Sequence, residues 1–271
     1  MDVPTNQFKQ WLSQRRQPAP LGTWMMTGSA AVAEALGYVG FDYLVLDTEH
    51  VPVDQLDVGH ILRALAGTPT REVLLRLPWN DAVAVKRALD AGAQSLMFPF
   101  IQTAEEARRA VAAARYPQDG NGGTRGVAAV HRASRYGAIG DYLRQANAQT
   151  CVVLQLETPE AVARMPEIAA VDGVDAIFIG PADLSANMGH LGGITHPEVQ
   201  AALRQAVQSC TALGKPCGIV GGNPDLVGTY LEWGYAFVAI ASDMSMLLAR
   251  AREQIAAVRG RKLAIAGGAG Y

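Results

Sequence analysis

Cysteine is scarce in this chain: Cys151, Cys210 and Cys217 are the only three in 271 residues. An odd number, without metal-type spacing and in apolar surroundings, excludes a disulfide framework and reads as buried, reduced thiols in a cytoplasmic protein. Lysine is almost as rare. Lys9, Lys86, Lys215 and Lys262 fall near the N-terminus, in a helical stretch, at the start of a strand and in the C-terminal segment. Imine-forming catalysis needs a lysine buried at the end of a strand, and none stands there. The formal charge is only −2, which offers no basic field to nucleic acid or anionic lipid. No apolar run approaches the roughly 18 residues of a membrane span. Met1-Asp2-Val3-Pro4 lacks the basic-then-apolar order of a secretion signal. The expectation is a cytoplasmic protein whose partner is a small molecule.

What is present is a large core, with 49% apolar and 18% charged residues. The length suits one α/β barrel of about 250 residues. Eight short runs read as buried strands: Gly22–Thr27, Tyr43–Asp47, Glu72–Leu77, Ser95–Phe100, Cys151–Glu157, Ala176–Gly180, Pro216–Val220 and Phe237–Ala241. Amphipathic stretches such as Asp81–Ala91, Thr103–Ala114, Pro159–Val171 and Pro197–Leu213 lie between them. Helix starts are signalled at Thr103 with Glu106, at Thr158-Pro159 and at His196-Pro197, and stops at Gly92, Gly173, Gly214 and Gly234. The alternation predicts one (β/α)8 TIM-barrel domain over residues 1–258. Two pieces are left over. The Gly- and Arg-rich stretch Asn121–Gly140 is either an excursion over an active-site mouth or an oligomer contact. A helix at Met244–Val258 follows the last strand, and residues 259–271 read as a flexible tail.

Strand ends in such a barrel carry the chemistry. Glu157 and Asp183 end successive strands, where two hard oxygen donors can share a divalent cation such as Mg²⁺ or Mn²⁺. Each acid alone has a plainer reading as a helix or loop cap; the pair together favours metal. Arg76 ends a buried strand, so it is either paired with a site acid or awaits an anion. His50 lies three residues after Asp47, a spacing that reads as a proton-transfer pair or as a loop histidine tied to Asp47 for structure alone. His60, His190 and His196 read as surface residues, and His131 is the one placed to reach a substrate. Gly221-Gly222-Asn223 is a weak phosphate signal and reads better as a tight turn.

Five segments in one order carry a resemblance. Phe41-Asp42-Tyr43-Leu44-Val45-Leu46-Asp47-Thr48-Glu49-His50, Arg76-Leu77-Pro78-Trp79-Asn80-Asp81, Gly123-Thr124-Arg125-Gly126-Val127, Gln155-Leu156-Glu157-Thr158 and Ile179-Gly180-Pro181-Ala182-Asp183-Leu184-Ser185 resemble the HpcH/HpaI family of class II, pyruvate-dependent aldolases. The resemblance covers roughly residues 20 to 258, with Thr48 standing where the family commonly has glycine. It implies an aldehyde-lyase that reversibly cleaves a 4-hydroxy-2-oxo acid into pyruvate and an aldehyde through a metal-bound pyruvate enolate. Glu157 and Asp183 would hold Mg²⁺, Mn²⁺ or Co²⁺, and Gln155 would contact substrate. The backbone at Gly180 and Ala182 would receive the pyruvate carboxylate, Arg76 would steady the enolate oxygen, and His50 would move the proton of the C4 hydroxyl. Asp90 matches an acid that reaches a neighbouring subunit's site, although by itself it reads as an exposed helix-end residue. The resemblance also implies a homotrimer or homohexamer with the last helix exchanged between subunits. Two alternatives stay open: a CoA-thioester lyase related to the citrate lyase β subunit, for which no basic patch stands out, and a keto-acid-binding barrel without catalysis.

Overall fold

The computed structural model describes residues 1–118 and 120–260. Eight parallel strands close into a barrel in sequence order: β1 (Leu21–Met25), β2 (Tyr43–Asp47), β3 (Glu72–Arg76), β4 (Ser95–Phe98), β5 (Cys151–Leu156), β6 (Ala176–Ile179), β7 (Cys217–Gly221) and β8 (Phe237–Ser242). Helix α1 (Gln7–Gln14) precedes the barrel. Around it run α2 (Ala30–Leu36), α3 (Gln55–Leu65), α4 (Ala82–Ala91), α5 (Ala104–Ala114), α6 (Tyr142–Gln149), α7 (Pro159–Ala163), α8 (Met165–Ala169), α9 (Pro181–Asn187), α10 (Pro197–Ala212), α11 (Pro224–Trp233) and α12 (Asp243–Arg259). Thr103 and Glu106 form a reciprocal capping box, and Gly92 and Gly234 end their helices in the left-handed conformation. The helix expected over Pro159–Val171 is broken at Arg164, because Pro166 has no N–H to return to Val162. No helix among the described residues is long and apolar enough to cross a membrane.

The period of two along each strand sorts side chains between the barrel axis and the helical layer. Leu44, Leu75, Leu96, Leu154, Ile177 and Ile219 join the core beneath the helices. Tyr43, Val45, Leu74, Met97, Val153 and Phe178 fill the barrel interior. Continuing the inward parity to the C-terminal end of each strand reaches Asp47, Arg76, Gln155, Glu157 and Gly180, all buried. The site is therefore an extension of the interior packing by one more layer. At the other end, α1 plugs the barrel, with the Phe8 ring 5.0 Å from Tyr43 and 5.3 Å from Phe237.

The Asn121–Gly140 excursion does not lie over the mouth. The Ala133 N–H donates to the Asp90 carbonyl at 3.1 Å and the Arg125 N–H to the Arg115 carbonyl at 2.9 Å, so it follows the C-terminal ends of α4 and α5, where strands begin. Helix α12 leaves the barrel with Asp243 as its one buried residue. That carboxylate holds the β1 end by accepting from the Met26 N–H at 2.7 Å and the Thr27 hydroxyl at 2.6 Å. Met244, Leu247, Leu248, Ile255 and Val258 are exposed along it. The helix continues through Arg259, one residue into the expected tail, and residues 261–271 lie outside the described residues.

Two inward-facing glycines make the aromatic interior fit. A Cβ on Gly22 would fall 2.6 Å from the Tyr43 ring, and one on Gly218 would overlap Phe237. Gly218→Ala is therefore expected to lower stability by about 1–3 kcal/mol through overpacking. The urea unfolding midpoint checks this, and an unchanged midpoint would mean that Phe237 has room to move.

Candidate active site

Asp47 and Arg76 are register partners on adjacent strands, so their side chains leave the sheet at the same height. Arg76 Nε donates to Asp47 Oδ1 at 2.9 Å and Nη2 to Oδ2 at 2.6 Å. Its Nη1 lies 3.0 Å from Glu49 Oε2, and its guanidinium sits over the Trp24 ring at 4.7 Å. Burial pushes the Asp47 carboxyl up, but the hydrogen bonds and charge of Arg76 outweigh it, so the group stays below its ordinary value. Thr48 adds a further tie, its hydroxyl donating to the Arg76 carbonyl at 2.6 Å.

Glu157 has the opposite balance. Gln155 Nε2 donates to its Oε2 at 2.5 Å and the Phe100 N–H to its Oε1 at 2.8 Å. Burial, together with the neighbouring Asp183 and Glu49 carboxylates, nonetheless pushes Glu157 up to about 7. Burial likewise raises Glu49, despite the opposing charge of Arg76. Phe100 makes its bond from a positive φ of 52°, a conformation that costs roughly 1–2 kcal/mol for a residue with a Cβ. A Cβ on Gly180 would fall 2.6 Å from Glu157 Oε2, so only glycine leaves that side of the carboxylate open. Helix α9 begins just beyond, with no side-chain cap, and its first amides have no acceptor within the helix.

The donor set suits a divalent cation. Glu157 and Asp183 supply hard oxygens, their mutual repulsion asks for positive charge, and Gln155 Oε1 is buried without a hydrogen-bond partner among the described residues. The His190, His196 and Glu198 side chains also come together, but not as a metal centre. The two imidazoles stack at 3.7 Å and 18°, so their in-plane lone pairs run nearly parallel. His196 Nδ1 also accepts the Glu198 N–H at 3.3 Å to cap α10.

His50 stands apart from Asp47. The contact from His50 to Asp47 is its backbone N–H, which donates to Oδ1 at 3.4 Å. The imidazole is largely exposed at the barrel mouth, with Nε2 3.9 Å from Glu49 Oε2. The expected Asp47–His50 side-chain pair is thus replaced by Asp47–Arg76, since the two strands bring Arg76 directly across. Asp90 is not a free helix-end acid: it takes Arg125 Nη2 at 2.6 Å and lies 3.7 Å from His131 Nε2. His131 sits with it against Tyr142, at 5.1 Å between rings, near the strand N-terminal end and away from the carboxylates. Asn223 caps α11 by accepting the Leu226 N–H, in keeping with a turn after β7. Sequence reasoning assigned no role to Glu49, Trp24 or Phe100. Glu49 was within reach, being two residues beyond the inward-facing Asp47.

Residues 21–249 match the model of the HpcH/HpaI aldolase/citrate lyase family. The chain is 53% identical to a 2-dehydro-3,6-dideoxy-6-sulfogluconate aldolase from Pseudomonas putida, over 92% of this chain and 96% of that one. It is 47% identical to a 4-hydroxy-2-oxo-heptane-1,7-dioate aldolase from Shigella flexneri, over 96% and 95%. The crystal structure of an HpcH/HpaI aldolase/citrate lyase family protein from Burkholderia cenocepacia superposes with a TM-score of 0.90 at 42% identity, covering 94% of this chain and 100% of that one. By sequence along nearly its whole length and by fold, the chain belongs to the HpcH/HpaI aldolase/citrate lyase family.

Proposed function

We propose that this chain is a carbon–carbon lyase of the class II aldolase type, cleaving a 4-hydroxy-2-oxo acid reversibly into pyruvate and an aldehyde. The observation that carries the reading is the buried contrast at one barrel mouth: an Asp47–Arg76 pair held ionised beside a Glu157 carboxyl raised to about 7 by burial and neighbouring carboxylates. Glu157 and Asp183 would hold a divalent metal, Mg²⁺, Mn²⁺ or Co²⁺, which supplies Lewis-acid polarisation of the 2-oxo group. The amides opening α9, at Ala182 and Asp183, suit the substrate carboxylate, and Gly180 keeps the approach clear. His50, at the solvent edge, takes the proton of the C4 hydroxyl. The C3–C4 bond then breaks, its electron pair settles into the C2–C3 enolate, and Arg76 stabilises the oxygen that becomes negative. Asp47 acts as a positioning residue, fixing the Arg76 fork. The exposed apolar residues along α12 support its exchange between subunits of a homotrimer or homohexamer, with Asp90 near the subunit boundary.

Pyruvate release from a 4-hydroxy-2-oxo acid tests the reading. Metal-stripped protein should be inactive, recover with Mg²⁺, Mn²⁺ or Co²⁺, and fail to recover as Glu157→Ala. Arg76→Ala should lose about a hundredfold or more in turnover. Metal-independent cleavage, or a near-normal rate in Arg76→Ala, would overturn the assignments.

Cation binding competes with the proton on Glu157. Below about pH 7 each unit of rising pH should tighten Mn²⁺ binding by up to about tenfold, levelling off above that value. Calorimetric titration across pH 5–8, by design, checks the slope, and a flat profile would remove Glu157 from the ligand set.

The positioning role of Asp47 separates from proton transfer by stability. Asp47→Ala removes both hydrogen bonds of the buried Arg76 fork and leaves it Glu49 as its carboxylate neighbour, and should cost about 3–5 kcal/mol, whereas His50→Ala, at an exposed position, should stay within roughly 0.5 kcal/mol. Equal small losses in denaturant unfolding would refute the division.

A further inference from the structure

At the end of the barrel opposite the carboxylates, a cavity of about 540 Å³ opens between the C-terminal ends of α3 and α4, the N-terminal segment and the 121–140 excursion. Arg63, Arg71, Arg132 and Arg135 line it, and among the described residues no carboxylate does. None of the four belongs to an ion pair among the described residues. The neighbouring Glu72 turns toward α1 instead, accepting the Phe8 N–H at 3.2 Å.

Arg71 has the adjacent Glu72 carboxylate as a charged neighbour, its charge opposing the rise that burial gives that carboxyl, whereas the hydrogen-bonding partners of the other three are neutral. Arg132 Nη1 donates to the Ala91 carbonyl at 2.8 Å, Arg63 Nη1 lies 3.4 Å from His60 Nδ1, and Arg135 Nη1 lies 2.8 Å from Met1 Sδ. Each fork presents five donors, so several remain for a ligand. Arg132 is half-buried, and burial together with the charge of Arg63 pushes it below its ordinary value. A Cβ on Gly92 would fall 2.5 Å from Arg132 Nη1, so a side chain is missing where the guanidinium passes. Four like charges lining one concavity, with Glu72 beside Arg71 but outside the lining, focus a positive potential. Planar forks match phosphate and carboxylate oxygens in pairs, and the volume is in the range of small-molecule sites.

We propose that this cavity binds a small polyanion carrying at least two phosphate or carboxylate groups, at a site separate from the catalytic mouth. The inference does not depend on the aldolase reading. Isothermal titration of the metal-free full chain with inorganic pyrophosphate, and separately with citrate, at constant ionic strength tests it. One saturable site per chain is expected, weakened by about tenfold or more when the two exposed arginines are reversed together as Arg63→Glu and Arg135→Glu. Binding should survive Arg76→Ala, which alters only the mouth. Pyrophosphate alone would identify phosphate as the preferred group, whereas both ligands would mean that charge suffices. No saturable binding, binding that persists in the charge-reversed pair, or binding lost in Arg76→Ala would overturn the proposal. So would a fall in assembly mass by light scattering in the charge-reversed pair, because the arginines would then be a subunit contact.

Discussion

Asp47, Glu49, Glu157 and Asp183 share a desolvated barrel mouth with one guanidinium, Arg76, and that imbalance governs the rest of the site. Two unit charges 4 Å apart interact by about 4 kcal/mol at an effective dielectric of 20, so their arrangement outweighs most single contacts. Arg76 commits two donors to Asp47 and its third nitrogen to Glu49. Little of its charge is left for Glu157, and burial then raises that carboxyl. The same mouth thus holds one acid firmly ionised and another, Glu157, whose proton is held by burial and by the Asp183 and Glu49 charges. In the proposed metal site a divalent cation would take the place of that proton and offset the charge of both carboxylates.

The barrel delivers this arrangement because its strands are packed on both faces. Inward parity fixed at Tyr43 and Val45 determines that Asp47 points inward, and the pairing of Asp47 with Arg76 follows from strand register. Small or strained residues make it fit: Gly22 and Gly218 admit the aromatic interior, Gly180 clears the flank of Glu157, and Phe100 accepts a left-handed conformation to aim its amide. The Phe100 conformation is costly in the backbone and is tolerable where interior packing holds it.

Strand runs are legible in the sequence because parallel strands buried on both faces must be continuously apolar, and all eight observed strands overlap the expected runs. Helix starts at Thr103, Thr158 and His196 are legible for the equally local reason that a side chain must satisfy orphan amides. Asp47, Arg76, Gln155 and Glu157 stand out as polar residues closing apolar runs, and the structure gathers them in the mouth. Their pairing is not legible. A spacing of three suggested Asp47 with His50, whereas the partner of Asp47 lies 29 residues away across a strand pair. Helix α1 escaped notice because its pattern is mostly polar, with Phe8 and Leu12 as its buried residues. For the excursion, length and composition mark a long loop without saying which end of the barrel it covers; its backbone bonds exclude the mouth and leave the reading as an oligomer contact open.

The formal charge of −2 conceals an uneven distribution along the barrel axis, with Glu49, Glu157 and Asp183 crowded at the mouth and, at the other end, four arginines outside the ion pairs of the described residues beside paired groups such as Arg125–Asp90. The (β/α)8 topology favours that sense, since every helix following a strand starts at the mouth and ends at the opposite rim. Helix N-termini stabilise negative charge and C-termini positive charge by about 0.3–1 kcal/mol each. Arg63 lies in the last turn of α3, and Arg132 bonds the terminal carbonyl of α4. These increments help explain why each charge is tolerated at its end. They are small beside the several kcal/mol between neighbouring buried charges, so helix polarity alone leaves neither end neutralised. The mouth answers with the Asp47–Arg76 pair; at the opposite rim Asp90 takes Arg125, while Arg63, Arg71, Arg132 and Arg135 belong to no ion pair among the described residues, the imbalance on which the proposed anion site rests.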